Sequence, residues 1–154
     1  MMLIAAAFLP LLAALLCWLR PLRSMAWVIT VFCLVASFAA AVVTSGQVLA
    51  SGRAVAVPGW LEADGLSALV LLLVTFVCAL AAIYARGYMR HETRSKERLW
   101  WFYSNYNLFV FSLAVVPALT RVNLVWVAVE MVTLFGTLLV GFESTPGALE
   151  AAWK

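Results

Sequence analysis

Five long apolar stretches, separated by short polar segments, dominate the sequence. They cover residues 3–19, 25–44, 66–85, 102–119 and 123–141. A helix of about 17–20 residues, rising 1.5 Å per residue, is long enough to cross a hydrocarbon layer about 30 Å thick. Because backbone amides in lipid must be satisfied within their own segment, we expect helices there and no open strands. The pattern predicts an all-α, polytopic transmembrane helix bundle with about five membrane-spanning helices, forming a single membrane domain over residues 1–154.

Basic residues between the stretches predict the orientation of this bundle. Seven lie in the first and third connecting segments, against two in the second and fourth. The seven are Arg20, Arg23, Arg86, Arg90, Arg94, Lys96 and Arg98, and the two are Arg53 and Arg121. Since positively charged loops stay on the cytoplasmic side, we expect the N-terminus outside and residues 86–98 in a cytoplasmic loop. Aromatic side chains at span ends favour the membrane interface, and those expected there are Trp60, Trp100, Trp101 and Tyr103.

Two connecting segments carry local signals of their own. Residues 46–63 form the longest outside loop, and the run 55–60 predicts an extended stretch ending in a turn at Pro58 and Gly59. Asp64 precedes the third span and is expected to be its N-cap. His91, in the basic loop, is expected to be an exposed spectator.

Composition supports a membrane location. The chain is 66% hydrophobic and 11% charged, whereas soluble chains average roughly half apolar and a quarter charged residues. The lipid bilayer is therefore the expected partner, and the basic clustering between spans indicates topology and not nucleic-acid binding. Cys17, Cys33 and Cys78 lack metal-ligand spacing, and no cofactor-binding motif is visible. We expect no metal, no cofactor, and a multi-pass protein of the inner (plasma) membrane.

Glu130 lies in the middle of the fifth span, where a carboxylate costs several kcal/mol unless it is paired, protonated or hydrated. Such a residue is a functional candidate by default, although a packing hydrogen bond to a neighbouring helix would also satisfy it. At 100° per residue, a polar stripe runs along this helix with an apolar back opposite to it. The stripe includes Trp126, Glu130, Thr133 and Thr137. We expect Glu130 to act as a proton relay, with the two threonine hydroxyls ordering water beside it.

The fourth span carries Asn105 and Asn107 close to its cytoplasmic end. These amides would either extend a hydrated path into the membrane or form hydrogen bonds at the interface.

The residues around Glu130 resemble a known signature. The run 126–134, with Trp126, Glu130, Thr133 and Leu134 in place, is similar to the W-x-x-x-E-x-x-T-L pattern of antiporter-like membrane subunits. These occur in complex I, in multisubunit cation/proton antiporters and in group-4 hydrogenases. Residues 64–67 resemble the start of that family's third helix, residues 87–92 look most like hydrogenase-4 component F, and residues 149–154 resemble the start of its sixth helix.

The resemblance implies a subunit of about fourteen helices with two inverted five-helix repeats. It also implies that the glutamate of helix five pairs with a lysine of helix seven, which has no counterpart here. Asp64, Trp126 and Lys154 match structural positions of the family. On this reading the chain is the N-terminal fragment of a larger subunit, without a catalytic centre of its own. Redox centres would belong to the other membrane and peripheral subunits of its complex.

Three functions are left open by the sequence. The first is a membrane subunit that contributes to proton or cation translocation in a redox-driven complex. That complex would be hydrogenase-4, formate hydrogenlyase-like or NADH dehydrogenase-like. The second is a small autonomous proton-coupled secondary transporter, and the third is a non-catalytic membrane scaffold.

Overall fold

The computed structural model describes residues 1–92, 96–143 and 146–153. Over these ranges the chain forms six helices and one short β-hairpin, so the protein is an all-α membrane bundle with a small extended insertion. The elements are α1 (Met2–Trp18), α2 (Ala26–Ser51), β1 (Val55–Val57), β2 (Leu61–Ala63), α3 (Gly65–Glu92), α4 (Lys96–Val115), α5 (Val122–Val140) and α6 (Pro146–Trp153). Short 3₁₀ turns cover Arg20–Met25, Val116–Ala118 and Gly141–Glu143.

Small residues allow α1 to pack closely against α2 and α4. Ala6, Ala7, Ala13 and Ala14 are all buried there. Hydroxyls from both neighbours bond to carbonyls of α1: Ser37 Oγ on α2 donates to Ala6 O over 2.5 Å, and Ser104 Oγ on α4 to Ala14 O over 3.3 Å. Where lipid is as apolar as a helix surface, close backbone approach and such hydrogen bonds hold helices together.

The hairpin lies at one end of the bundle and connects α2 to α3. β1 and β2 are antiparallel, with Val55 opposite Ala63 and Val57 opposite Leu61. Gly59 has a φ of 79°, a left-handed conformation that favours glycine in this turn. The predicted extended stretch with a turn at Pro58 and Gly59 is therefore confirmed.

The same hairpin also contacts the segment between α4 and α5. Leu61 forms an isolated antiparallel bridge with Leu119. The Thr120 backbone N–H and hydroxyl both donate to Trp60 O over 3.3 Å. The hairpin and the start of α5 thus lie at the same end of the bundle, as alternating helices require.

The opposite end holds two pairs of arginine and tryptophan. The Arg23 guanidinium lies 4.0 Å from the centre of the Trp100 ring, and that of Arg86 lies 4.0 Å from the Trp27 ring. Cations over indole faces are favourable, most of all when partly desolvated. These pairs join the first and third connecting segments at one end, which agrees with the grouping expected from charge. Of the aromatic side chains expected at the interface, Tyr103 is buried against neighbouring helices, with 3% of it exposed.

Several helix bounds differ from the expected spans. α2 continues past Thr44 and ends at Ser51. The C-cap residue Gly52 follows it, with a φ of 61° and an N–H that donates to Val48 O. The expected loop over 46–63 is thus helical in its first third. α3 reaches Glu92 and α4 starts at Lys96, so most of the expected basic loop is helical as well. The added residues include polar and charged ones, so the hydropathy pattern left them out of the expected spans.

The fourth helix also ends earlier than expected. It stops at Val115 and gives way to a 3₁₀ turn containing Pro117, because proline lacks the amide hydrogen that an α-helix needs and disfavours helical geometry before it. The expected exposure of His91 concerns a side chain outside the described part of the structure.

Among the described residues, three helices are long and apolar enough to cross a membrane by length and composition alone. They are Pro21–Ser51, Gly65–Gly87 and Val122–Val140, and Met2–Trp18 is a shorter apolar helix. α4 does not qualify on composition because it carries several polar residues. Those side chains are buried inside the bundle, at Ser104, Asn105, Asn107 and Ser112.

Candidate functional site

The candidate site lies on α5, which packs against the bundle chiefly through α4. Ala128 is buried on the side that meets the bundle. Gly136 lies close to the Phe109 ring of α4, since a Cβ placed there would be 3.6 Å from it. The apolar back expected from the helical wheel is therefore the face by which α5 is attached.

The polar stripe faces away from this bundle. Glu130, Thr133 and Thr137 are all exposed, and 67% of Trp126 is exposed. The four residues lie on one face of α5, as the spacing predicted. In a membrane this face must be covered by lipid or by another helix.

The two threonine hydroxyls are bonded to the helix itself. Thr133 Oγ1 donates to the backbone carbonyl of Glu130 over 2.8 Å, and Thr137 Oγ1 donates to that of Thr133 over 2.8 Å. Such bonds satisfy the hydroxyl proton locally and leave oxygen lone pairs free to accept. The hydroxyls can therefore accept a hydrogen bond from water beside the carboxylate.

Glu130 has no cationic partner among the side chains that the structure describes. A carboxylate at this depth needs pairing, protonation or water. Any cationic partner for it must therefore come from outside the described part of the chain.

Asp64 occupies the N-cap position expected for it. Its Oδ1 accepts a hydrogen bond of 2.7 Å from the Ser67 backbone N–H, and its carbonyl accepts from Ala68 N over 2.9 Å. The Ser67 N–H beside it holds the pKa of the Asp64 carboxyl below its usual range. This is the geometry of a structural cap. Lys154 lies outside the described residues.

A buried polar cluster inside α1–α4 was not identified from the sequence. Asn105 and Asn107 were expected in a hydrated path or at the interface, but both are buried inside the bundle. Asn107 Nδ2 donates to Thr30 Oγ1 and to Tyr103 O, each over 2.7 Å. The signal available in the sequence was the seven-residue spacing of Thr30, Ser37 and Thr44 on α2, which places all three on one face.

Known proteins resemble parts of this chain. The family model for the N-terminus of chain 5 of NADH-ubiquinone oxidoreductase (complex I) matches residues 53–98, which cover the hairpin and α3. That match stops before the run around Glu130.

Curated relatives match a longer part. The hydrogenase-4 component F homolog of Methylacidiphilum infernorum is 32% identical over 95 residues, covering 59% of this chain and 20% of that protein. The chloroplastic NAD(P)H-quinone oxidoreductase subunit 5 of Zygnema circumcarinatum is 38% identical over 92 residues, covering 59% and 12%. Chain 5 of the Synechocystis NAD(P)H-quinone oxidoreductase is 39% identical over 82 residues, covering 51% and 11%.

The aligned region is thus a fifth or less of each curated relative. Both kinds of relative are named as components or subunits of the enzymes that the run 126–134 and residues 64–67 suggested. Apolar helices long enough to cross a membrane agree with that class. Over the matched regions the chain is similar to complex I chain 5 and to hydrogenase-4 component F, and these similarities support the family of antiporter-like membrane subunits.

Proposed function

We propose that this chain contributes to proton translocation within a membrane subunit of a redox-driven complex, with Glu130 as the group that takes up and releases the proton. The single observation that carries the proposal is the position of Glu130. It is an exposed carboxylate in the middle of a membrane-spanning helix, on a continuous polar face. Intramembrane carboxylates of this kind mark proton paths and partner sites.

The geometry favours a relay completed by a further helix. The face bearing Glu130 is directed away from α4, and its threonine oxygens can accept hydrogen bonds from water. A cationic side chain on a neighbouring helix would stabilise the charged carboxylate, and water would connect the two groups. The family resemblance suggests a lysine from a later helix in this role.

The subunit would work inside a multisubunit redox complex in the inner (plasma) membrane. Relatives named as hydrogenase-4 and NAD(P)H-quinone oxidoreductase components support a multisubunit complex. We propose the inner (plasma) membrane as its location. Redox centres would lie in partner subunits.

The test is proton uptake by proteoliposomes that contain the assembled complex with the full-length subunit. Glu130→Gln keeps the shape of the side chain and removes its titration, so the rate should fall by about a hundredfold or more while subunit content is unchanged. Glu130→Asp should retain part of the activity because it still titrates. Glu62→Gln, at an exposed glutamate of β2, is the matched control and should pump normally.

Two results would contradict the proposal. Wild-type pumping by Glu130→Gln would remove this carboxylate from the proton path. Failure of Glu130→Gln to assemble, with normal assembly of Glu130→Asp, would assign Glu130 to helix packing.

A further inference from the structure

An apolar cleft runs between α1, α4, α5 and the hairpin, on a different side of α5 from Glu130. Its volume is about 430 Å³, within the range of ligand-binding pockets. The rings of Phe8 and Phe111, 5.4 Å apart, form part of its wall between α1 and α4. Trp60 of the hairpin lines the cleft as well.

The cleft extends along the axis of α5. α5 contributes Leu124, Val127 and Met131 from successive turns, a rise of about 10 Å along the helix axis. Apart from the indole of Trp60, the lining side chains that the structure describes are apolar except Ser112, whose hydroxyl already donates to Leu108 O in its own helix over 2.8 Å. A polar ligand group would lose its hydrogen bonds to water inside this cleft, whereas a hydrocarbon chain would lose none.

The rim of the cleft is cationic. The Arg121 guanidinium lies 5.7 Å from the centre of the Trp60 ring, and its nitrogen approaches the turn at Gly59. Arg121 is also the N-cap residue of α5, where the amide groups of the first turn favour anions. Arg121 forms no ion pair with any acidic side chain in the described part of the chain. An exposed arginine over an indole at a span end is placed at headgroup level.

We infer that this cleft binds an anionic phospholipid, with one acyl chain between α1, α4 and α5 and the phosphate at Arg121. The apolar lining favours an acyl chain. Arg121 and the N-terminus of α5 favour a negatively charged headgroup. The ligand is thereby distinguished from bulk lipid, which would contact all exposed helix faces alike. This inference does not depend on proton translocation.

The experiment uses the full-length protein in vesicles that contain a trace of photoactivatable phosphatidylglycerol, carrying its reactive group in the acyl chain. A matched photoactivatable phosphatidylcholine is the zwitterionic comparison. Labelled peptides are identified by mass spectrometry. We expect labelling concentrated on residues 124–131, with phosphatidylglycerol favoured over phosphatidylcholine.

Two variants and two controls separate the headgroup from the cleft. Arg121→Gln should reduce phosphatidylglycerol labelling by about fivefold, the effect of one basic residue at a membrane surface. Arg53→Gln, at the other exposed arginine near the hairpin, should leave it unchanged. Val127→Trp, which fills the cleft, should abolish labelling by both lipids, whereas Val129→Trp on another face of α5 should not.

Equal labelling in Arg121→Gln and Arg53→Gln would overturn the headgroup assignment. Labelling spread evenly over the exposed helices would show ordinary surrounding lipid only. Absence of cleft labelling in the full-length protein would show that another segment of protein occupies the cleft. Each of these results contradicts the inference, and Arg121→Gln tests it even if Val127→Trp fails to fold.

Discussion

Asn107 on α4 donates a hydrogen bond from Nδ2 to Thr30 Oγ1 on α2, over 2.7 Å, across the centre of the bundle. Asn107 is fully buried, and its Oδ1 has no partner among the described atoms. A buried polar group is costly unless it is bonded. The pair therefore connects α2 and α4 by a specific contact that apolar packing alone would not provide.

The strength of this contact can be measured with a double-mutant cycle. Asn107→Leu and Thr30→Val each remove one partner, and we expect a coupling free energy of about 1 kcal/mol, typical of hydrogen bonds between membrane helices. The measurement is reversible unfolding in detergent micelles. Thr44→Val is the control second site, because Thr44 bonds to Ala40 O in its own helix. Coupling of the same size with Thr44→Val would show that the effect is not specific to the pair.

The cap at the start of α3 should make stability depend on pH. Hydrogen bonding lowers the pKa of Asp64, so its contribution is present above its ordinary pKa and is lost as the pH falls through the lowered value. The difference in unfolding temperature between wild type and Asp64→Asn should therefore shrink as the pH falls from about 6 to below about 3. Glu62→Gln serves as a control, and a difference independent of pH would contradict the assignment.

Orientation in the membrane is tested with single cysteines in a background lacking Cys17, Cys33 and Cys78. Ser51, at the hairpin end, and Ser24, at the end with the arginine–tryptophan pairs, are both exposed. An impermeant thiol reagent added outside intact cells should label Ser51→Cys, and it should label Ser24→Cys only after permeabilisation. The opposite pattern would reverse the predicted topology.

The threonine hydroxyls should contribute less than the carboxylate they accompany. Thr137→Val removes an oxygen that can accept a hydrogen bond from water, but not the proton carrier. We therefore expect proton uptake to fall less than in Glu130→Gln. Leu138→Val, a neighbouring exposed position on the same helix, is the control. A loss as large as that of Glu130→Gln would place Thr137 directly in the relay.

Helix positions were predictable where charge bounds an apolar run. α1 and α5 begin and end within one residue of the expected spans, because Arg20 and Arg121 mark their membrane limits. The extensions of α2 and α3 were not predictable in this way. Helix propagation continues into water as long as the backbone allows it, and for α2 only the left-handed Gly52 ends it.

Only the polar face of the candidate site was predictable from the sequence. The spacing of Trp126, Glu130, Thr133 and Thr137 predicts one polar face, but a helical wheel does not show where the neighbouring helices lie. The buried polar cluster was missed for the converse reason. Asn107 was expected in a hydrated path or at the interface because it lies close to the end of its span. Its environment depends instead on which side of α4 meets Thr30.

The hydrogen bonds between the hairpin and the segment before α5 have a consequence for biogenesis. Trp60 O is bonded to Thr120, which is synthesised 60 residues later. The contact can therefore form only after α4 has brought Thr120 to the hairpin end of the bundle, and until then Trp60 O needs another donor such as water. This link between the hairpin and the segment before α5 is therefore completed late in synthesis, after α1 to α4 have all been made.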